Sequence, residues 1–181
     1  ARSQDCNNIP LEVYSLIGVE YLFLEDFENA KDNFINCLNY DDSDYSALYN
    51  IVYCFEILEQ NDKAIDYLNT YLDSNPYCEV AWHQLGKQYL IFKNYVKAIS
   101  AFDFAIISDE YFVGAYIEKG RALEKINKYN EAIENYKLII ALKDESSYPL
   151  LRMGICYDKI GNYKKAIQNF NDCVKIDTQL N

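Results

Sequence analysis

The sequence predicts an all-α chain, an α-solenoid of antiparallel helix pairs. Three observations predict it. A 34-residue period runs through the 181 residues, with copies starting at Leu11, Tyr45, Glu79, Val113 and Ser147 and no insertion between them, and periods of this length mark stacked repeat architectures. Within each copy small residues recur where two helices must come close, and large apolar residues follow three or four places later, on one helical face. Glycine and proline number only 6 and 3, and no Ser/Gly-rich linker interrupts the chain, so residues 11–180 are read as one array without an internal boundary.

Each copy is read as a helix A followed by a helix B. In 11–44 Gly18 and Tyr21 are the small and large residues of helix A, answered on helix B by Ala30 and Phe34. In 45–78 Val52 stands in the glycine place, before Phe55, Ala64 and Leu68, and is expected to push that pair slightly apart. The copy at 79–112 carries Gly86, Tyr89, Ala98 and Phe102, with Trp82 and Leu85 ahead of them and Pro76 just before the copy. In 113–146 the set is Gly120, Leu123, Ala132 and Tyr136, and Lys119 interrupts a place held by Ile17, Ile51 and Leu85. The copy at 147–180 has Gly154, Tyr157, Ala166 and Phe170. The glycine is taken to face the alanine, small against small, so that ridges enter grooves.

At the corner between the helices an aromatic recurs as Phe27, Tyr95, Tyr129 and Tyr163, with Asn61 in the second copy. The polar residues before it, such as Lys93-Asn94, Asn127-Lys128 and Gly161-Asn162, end helix A. Residues 1–10 are in phase with the tail of an earlier copy. Near the end of helix B an apolar residue recurs as Leu38, Leu72, Ile106, Ile140 and Val174, which the next helix A is expected to cover in the first four copies. Beyond the fifth nothing follows to cover Ile167, Val174 and Ile176, and such arrays need a polar cap. The expectation is a fragment of a longer repeat protein, or self-association through the open C-terminal edge.

The run Trp82, Leu85, Gly86, Tyr89, Ala98, Phe102, Ala105 follows the W-x2-L-G-x2-Y…A-x3-F…A pattern. With its period, it resembles the tetratricopeptide repeat, and the resemblance covers residues 11–180. It implies a right-handed superhelix whose A helices line a concave groove, and a non-catalytic protein–protein interaction scaffold that binds a peptide or helix there. On that reading the groove is apolar in the first two copies (Val19, Leu22, Phe23, Tyr49, Tyr53, Ile57) and turns basic in the last three. The basic residues are His83, Lys87, Arg121, Lys125, Arg152 and Lys159, with Lys87 and Arg121 in the same place of consecutive copies. The candidate groove set is Tyr49, Tyr53, His83, Lys87, Arg121 and Arg152. Its partner would be a protein or peptide with an acidic segment or a C-terminal carboxylate, since arginine forks suit carboxylates and tyrosines anchor interfaces. The alternative is a ligand or peptide sensor that regulates an effector domain elsewhere in a full-length chain. Chaperone-binding members of the family hold a terminal carboxylate with a Lys, Asn, Asn, Lys and Arg clamp; only Asn50 and Arg152 match here, so that recognition is not expected.

Composition excludes other classes. A net charge of −11 argues against nucleic acid and anionic membranes as partners, and no apolar run approaches the roughly 18 residues of a membrane span. The 6 cysteines include no C-x2-C pair and there is 1 histidine, so no metal site, cofactor or catalytic constellation is expected. Cys37 and Cys173 take the place of Ala105, and Cys54 and Cys156 that of Ala122, as small packing residues, whereas Cys6 and Cys78 lie in loops. Unpaired thiols of this kind point to a cytoplasmic location. The run Asp41-Asp42-Ser43-Asp44 lacks the glycine and distal glutamate of a calcium loop and is read as helix capping.

Overall fold

The computed structural model describes residues 9–142 and 146–179. The described residues form ten helices and no strand, as an all-α array requires. They fall into two compact units that divide between Ser74 and Asn75. The first contains α1 (Ile9–Phe23), α2 (Phe27–Tyr40), α3 (Tyr45–Ile57) and α4 (Asn61–Ser74). The second contains α5 (Glu79–Ile91), α6 (Tyr95–Ser108), α7 (Val113–Lys125), α8 (Tyr129–Ala141), α9 (Tyr148–Lys159) and α10 (Tyr163–Gln179). Of the lead-in at 1–10, residues 1–8 lie outside the described residues, as does Cys6.

Phe34, Leu48, Ile51 and Leu68 are fully buried in the first unit. In the second, Tyr116, Leu123, Tyr136, Ile139, Met153 and Tyr157 form one cluster, and Ala98, Phe102, Ala105 and Ala115 another. Each large side chain so buried stabilises by roughly 1.5–3 kcal/mol.

The small-against-small reading of the glycines needs correction. A Cβ built on Gly18, Gly86, Gly120 or Gly154 meets, as its nearest neighbours, the ring of Phe34, Phe102, Tyr136 or Phe170. At Gly86 the nearest ring carbon would lie 2.4 Å away. Each glycine is thus a notch for the helix-B aromatic four residues beyond the alanine. In the second copy the same two places hold Val52 and Leu68, both buried, so a smaller partner accompanies the larger helix-A residue. The α3 and α4 backbones nevertheless stand further apart than those of the other four pairs, as the extra bulk of valine dictates.

Every helix A ends in the same way. Glu25, Glu59, Lys93, Asn127 and Gly161 adopt positive φ, between 56° and 77°. The following residue donates its N–H to the carbonyl five places back: Asp26 to Tyr21, Gln60 to Phe55, Asn94 to Tyr89, Lys128 to Leu123 and Asn162 to Tyr157, at 2.8–2.9 Å. This closure satisfies carbonyls that the helix end leaves open.

Helix starts are capped by side chains. Asp26, Asp44 and Asn94 accept from the N–H three residues ahead at 3.2, 3.0 and 3.3 Å. Asp44 begins α3, and the Asp41 carboxylate accepts from the Ser43 N–H at 3.0 Å and its hydroxyl at 2.6 Å, so this acidic run shapes the junction between helices. Cys78, read as a loop residue, is buried at the start of α5, where its Sγ accepts from the Ala81 N–H at 3.4 Å. Trp82 is tied to the same junction, donating from Nε1 to the Pro76 carbonyl at 2.8 Å.

Near the end of helix B, Ile140 is exposed although the next helix A was expected to cover it, while Ile139, at the place of the buried Cys37, Ala105 and Cys173, is buried. Ile139 joins the buried cluster with Tyr136, Met153 and Tyr157. Ile167 and Val174 on α10 are each 60% exposed.

Candidate peptide-binding face

One face of the second unit is built from α7 and α9. Arg121 and Lys125 stand one turn apart on α7, so they project to the same side. On α9 Arg152 and Lys159 are seven residues apart, again on one side. Together these four cations line a cavity of about 370 Å3, closed by Glu124, Tyr129 and Ile155. A second cavity of about 200 Å3 lies beside it, lined by Leu90, Tyr95, Glu118, Ala122 and, again, Arg121 and Lys125. A basic hollow and a partly apolar one therefore share two side chains.

The four cations are not equivalent. Arg152 gives both edges of its guanidinium to Glu124, Nε to Oε1 at 3.0 Å and Nη2 to Oε2 at 2.5 Å. Glu124 Oε1 also accepts from the Tyr136 hydroxyl at 2.7 Å. Burial opposes the charge of Arg152, but the hydrogen bonds and charge of Glu124 outweigh it and raise the pKa. Burial, then the Glu124 hydrogen bond, raises that of Tyr136. Arg121 is held by Glu118 at 2.9 Å on its own helix. Lys125 and Lys159, by contrast, are exposed and form no ion pair among the described residues.

The remaining sequence-predicted residues lie elsewhere. The His83 ring packs edge-on to Phe112 at 5.1 Å between centroids and tilted to Phe102 at 5.8 Å. Both its nitrogens are buried without a hydrogen-bond partner among the described residues. Burial, and secondarily the charge of Lys87, lowers its pKa to about 4, so the ring is neutral at pH 7. It is a member of an aromatic cluster. Lys87 is half-buried on α5. Tyr49 and Tyr53 belong to α3 of the first unit, both exposed, with the Tyr53 ring edge-on to Phe27 at 6.3 Å. In sequence, Tyr136 reads as a packing residue of helix B and Glu124 has no assigned role. The available signal was the lone hydroxyl at a place held by Phe34, Leu68, Phe102 and Phe170.

A family model described as "Tetratricopeptide repeat" matches residues 11–44, 45–78, 113–146 and 149–180. The chain belongs to the tetratricopeptide repeat family. Residues 79–112, outside those four matches, form the α5–α6 pair of this tetratricopeptide repeat protein with the same notch, Gly86 under Phe102. No curated protein matches the sequence. Among solved structures, "Crystal structure of MamA protein" is similar at a TM-score of 0.77 and 20% identity, covering 94% of this chain and 93% of that one. "MamA 41-end from Desulfovibrio magneticus RS-1" aligns at 0.74 and 18% identity over 94% and 97% of the two chains. A thermophilic tetratricopeptide repeat protein of Thermus thermophilus, TTC0263, aligns at 0.63 and 15% identity over 91% and 90%. At these identities the likeness is one of fold. A tetratricopeptide repeat protein is in general a protein-interaction scaffold, of a family that is generally non-catalytic. No helix among the described residues is long and apolar enough to cross a membrane.

Proposed function

We propose that this scaffold binds an acidic peptide on the α7 and α9 face, with a carboxylate in the basic cavity and an adjacent apolar side chain against Leu90, Tyr95 and Ala122. The observation that carries this reading is the pair of ammonium groups, Lys125 and Lys159, that form no ion pair among the described residues and rim a cavity adjoining an apolar one. In a chain of net charge −11, cations left without internal carboxylates favour an anionic ligand. Arg121 adds a fork that is exposed and held only by an intrahelical pair, a weak bond that a ligand carboxylate can replace. Arg152 serves as a wall whose guanidinium is already matched. Tyr49 and Tyr53 belong to the first unit and are not required by this reading.

The test is fluorescence anisotropy with a labelled peptide alternating Glu and Leu, as free acid and as C-terminal amide. Lys125→Glu/Lys159→Glu should weaken binding by about tenfold or more, with the thermal midpoint unchanged. Weaker binding of the amide alone places the terminal carboxylate in the cavity; equal binding places a side-chain carboxylate there. Equal affinity for wild type and variant would refute the reading.

A further inference from the structure

Lys119 stands at a place of helix A where three of its four counterparts, Ile51, Leu85 and Met153, are buried and the fourth, Ile17, is exposed. It instead carries its ammonium outward to Asp103 on α6, at 2.6 Å. The partner is as unusual as the lysine, because the places equivalent to Asp103 hold Ile35, Asn69, Lys137 and Asn171. Between α6 and α8, beside this pair, opens a cleft of about 460 Å3, a size at which binding pockets are found. Ile99, Leu123 and Leu138 supply its apolar surface, and Asp103, Glu131 and Glu134 its acidic rim.

The floor and the rim select what would enter. Asn135, also lining the cleft, is 4% exposed; its Nδ2 donates to the Tyr116 carbonyl at 2.7 Å, but its buried Oδ1 accepts from no donor among the described residues. Buried polar atoms are ordinarily satisfied, and a missing donor is costly. A ligand donor at the cleft floor would supply it. The rim is acidic by three carboxylates to the one ammonium of Lys119. Lys128 and Lys137 approach Glu131 and Glu134 along their own helix, at 2.9 and 2.7 Å, in exposed pairs worth less than about 1 kcal/mol each. A ligand cation can replace them.

We propose that the cleft between α6 and α8 is a second binding site, taking a basic peptide segment that seats an apolar side chain over Ile99, Leu123 and Leu138 and sets an arginine or lysine against Glu131 and Glu134. A second copy of this chain, also at −11, is the wrong occupant on charge. The site is independent of the acidic-peptide face: it lies on α6 and α8, requires the opposite ligand charge, and uses neither Lys125 nor Lys159.

The probe is a fluorescein-labelled peptide alternating Arg and Leu, titrated by anisotropy against four proteins. Wild type should bind saturably, and Lys125→Glu/Lys159→Glu should bind at least as well. Glu131→Lys/Glu134→Lys should bind about tenfold more weakly or worse. The decisive variant is Leu138→Trp, at a surface position, which fills the cleft from its rim without changing its charge. Simple charge attraction would leave binding unchanged, whereas a filled cleft should weaken it about tenfold. No saturable binding by wild type, or equal or tighter binding by the cleft-filled variant, overturns the proposal.

Discussion

Tyr136 donates its hydroxyl to the Glu124 carboxylate at 2.7 Å from the far side of a glycine. A Cβ on Gly120 would stand 2.4 Å from the Tyr136 Cζ and 2.7 Å from its oxygen, so the ring passes over α7 only because residue 120 has no side chain. Glu124 then takes Arg152 on α9. The Glu124 carboxylate on α7 thus ties helix B of its own copy to helix A of the fifth, while Lys125 and Lys159 stay exposed.

This chain of contacts ranks three substitutions. Arg152→Ala leaves Glu124, whose side chain is 10% exposed, without its counter-charge, and should cost on the order of 2–4 kcal/mol. Tyr136→Phe removes one donor and should cost about 1 kcal/mol. Glu124→Gln should fall between them. Urea denaturation measures all three, and a Tyr136→Phe cost above that of Arg152→Ala would contradict the network.

The glycine notches make an opposite pair of predictions. Gly120→Ala and Gly86→Ala force a methyl group into a ring and should destabilise by about 1–3 kcal/mol. Val52→Gly should also destabilise, because Leu68 leaves the space empty, and adding Leu68→Phe should recover part of the loss. Additive effects in that double mutant would show that the two places do not complement each other.

His83 predicts a specific dependence on pH. Its pKa falls from 6.5 in the unfolded chain to about 4 in the folded one, chiefly through burial. The associated stability is fully present above pH 6.5 and is lost as pH falls toward 4, because only the unfolded chain then takes up the proton. His83→Phe should reduce the pH 7 to pH 5 drop in stability by on the order of 1–3 kcal/mol. As this is the chain's 1 histidine, its NMR titration reads the same quantity directly; a midpoint near 6.5 would refute it.

Thiol reactivity tests the packing role of the cysteines. Burial pushes Cys54 up to about 11 and Cys156 up to about 12, so neither offers thiolate at pH 8. Iodoacetamide at pH 8 should leave both unmodified in the folded protein and label both in urea, read by peptide mass spectrometry. Equal labelling rates in the two conditions would show that these helix positions are open.

Much of this was readable from the 34-residue period. The helix pairs, their boundaries to within a residue or two, and the burial of Phe34, Leu68, Phe102 and Tyr136 follow from spacing alone. The corners were only half legible: all five share a positive-φ residue, yet only Gly161 is glycine there, so Glu25, Glu59 and Lys93 conceal the turn. The exposed candidates were legible as charges and not as partners. Nothing in the order of residues reveals that Arg152 is matched by Glu124, 28 positions away, while Lys159 has no partner among the described residues.

By itself, then, the sequence determined the repeat, the helix pairing and the family, because each of these depends on spacings of four residues or of 34, which are local or periodic and need no coordinates. Tertiary structure alone decided that the glycines seat rings, that His83 is a half-buried neutral ring, and that Lys119 pairs with Asp103 beside a cleft. Those outcomes depend on which side chain of a neighbouring helix occupies a given volume. Such contacts are set by three-dimensional packing, to which the period of the chain is blind.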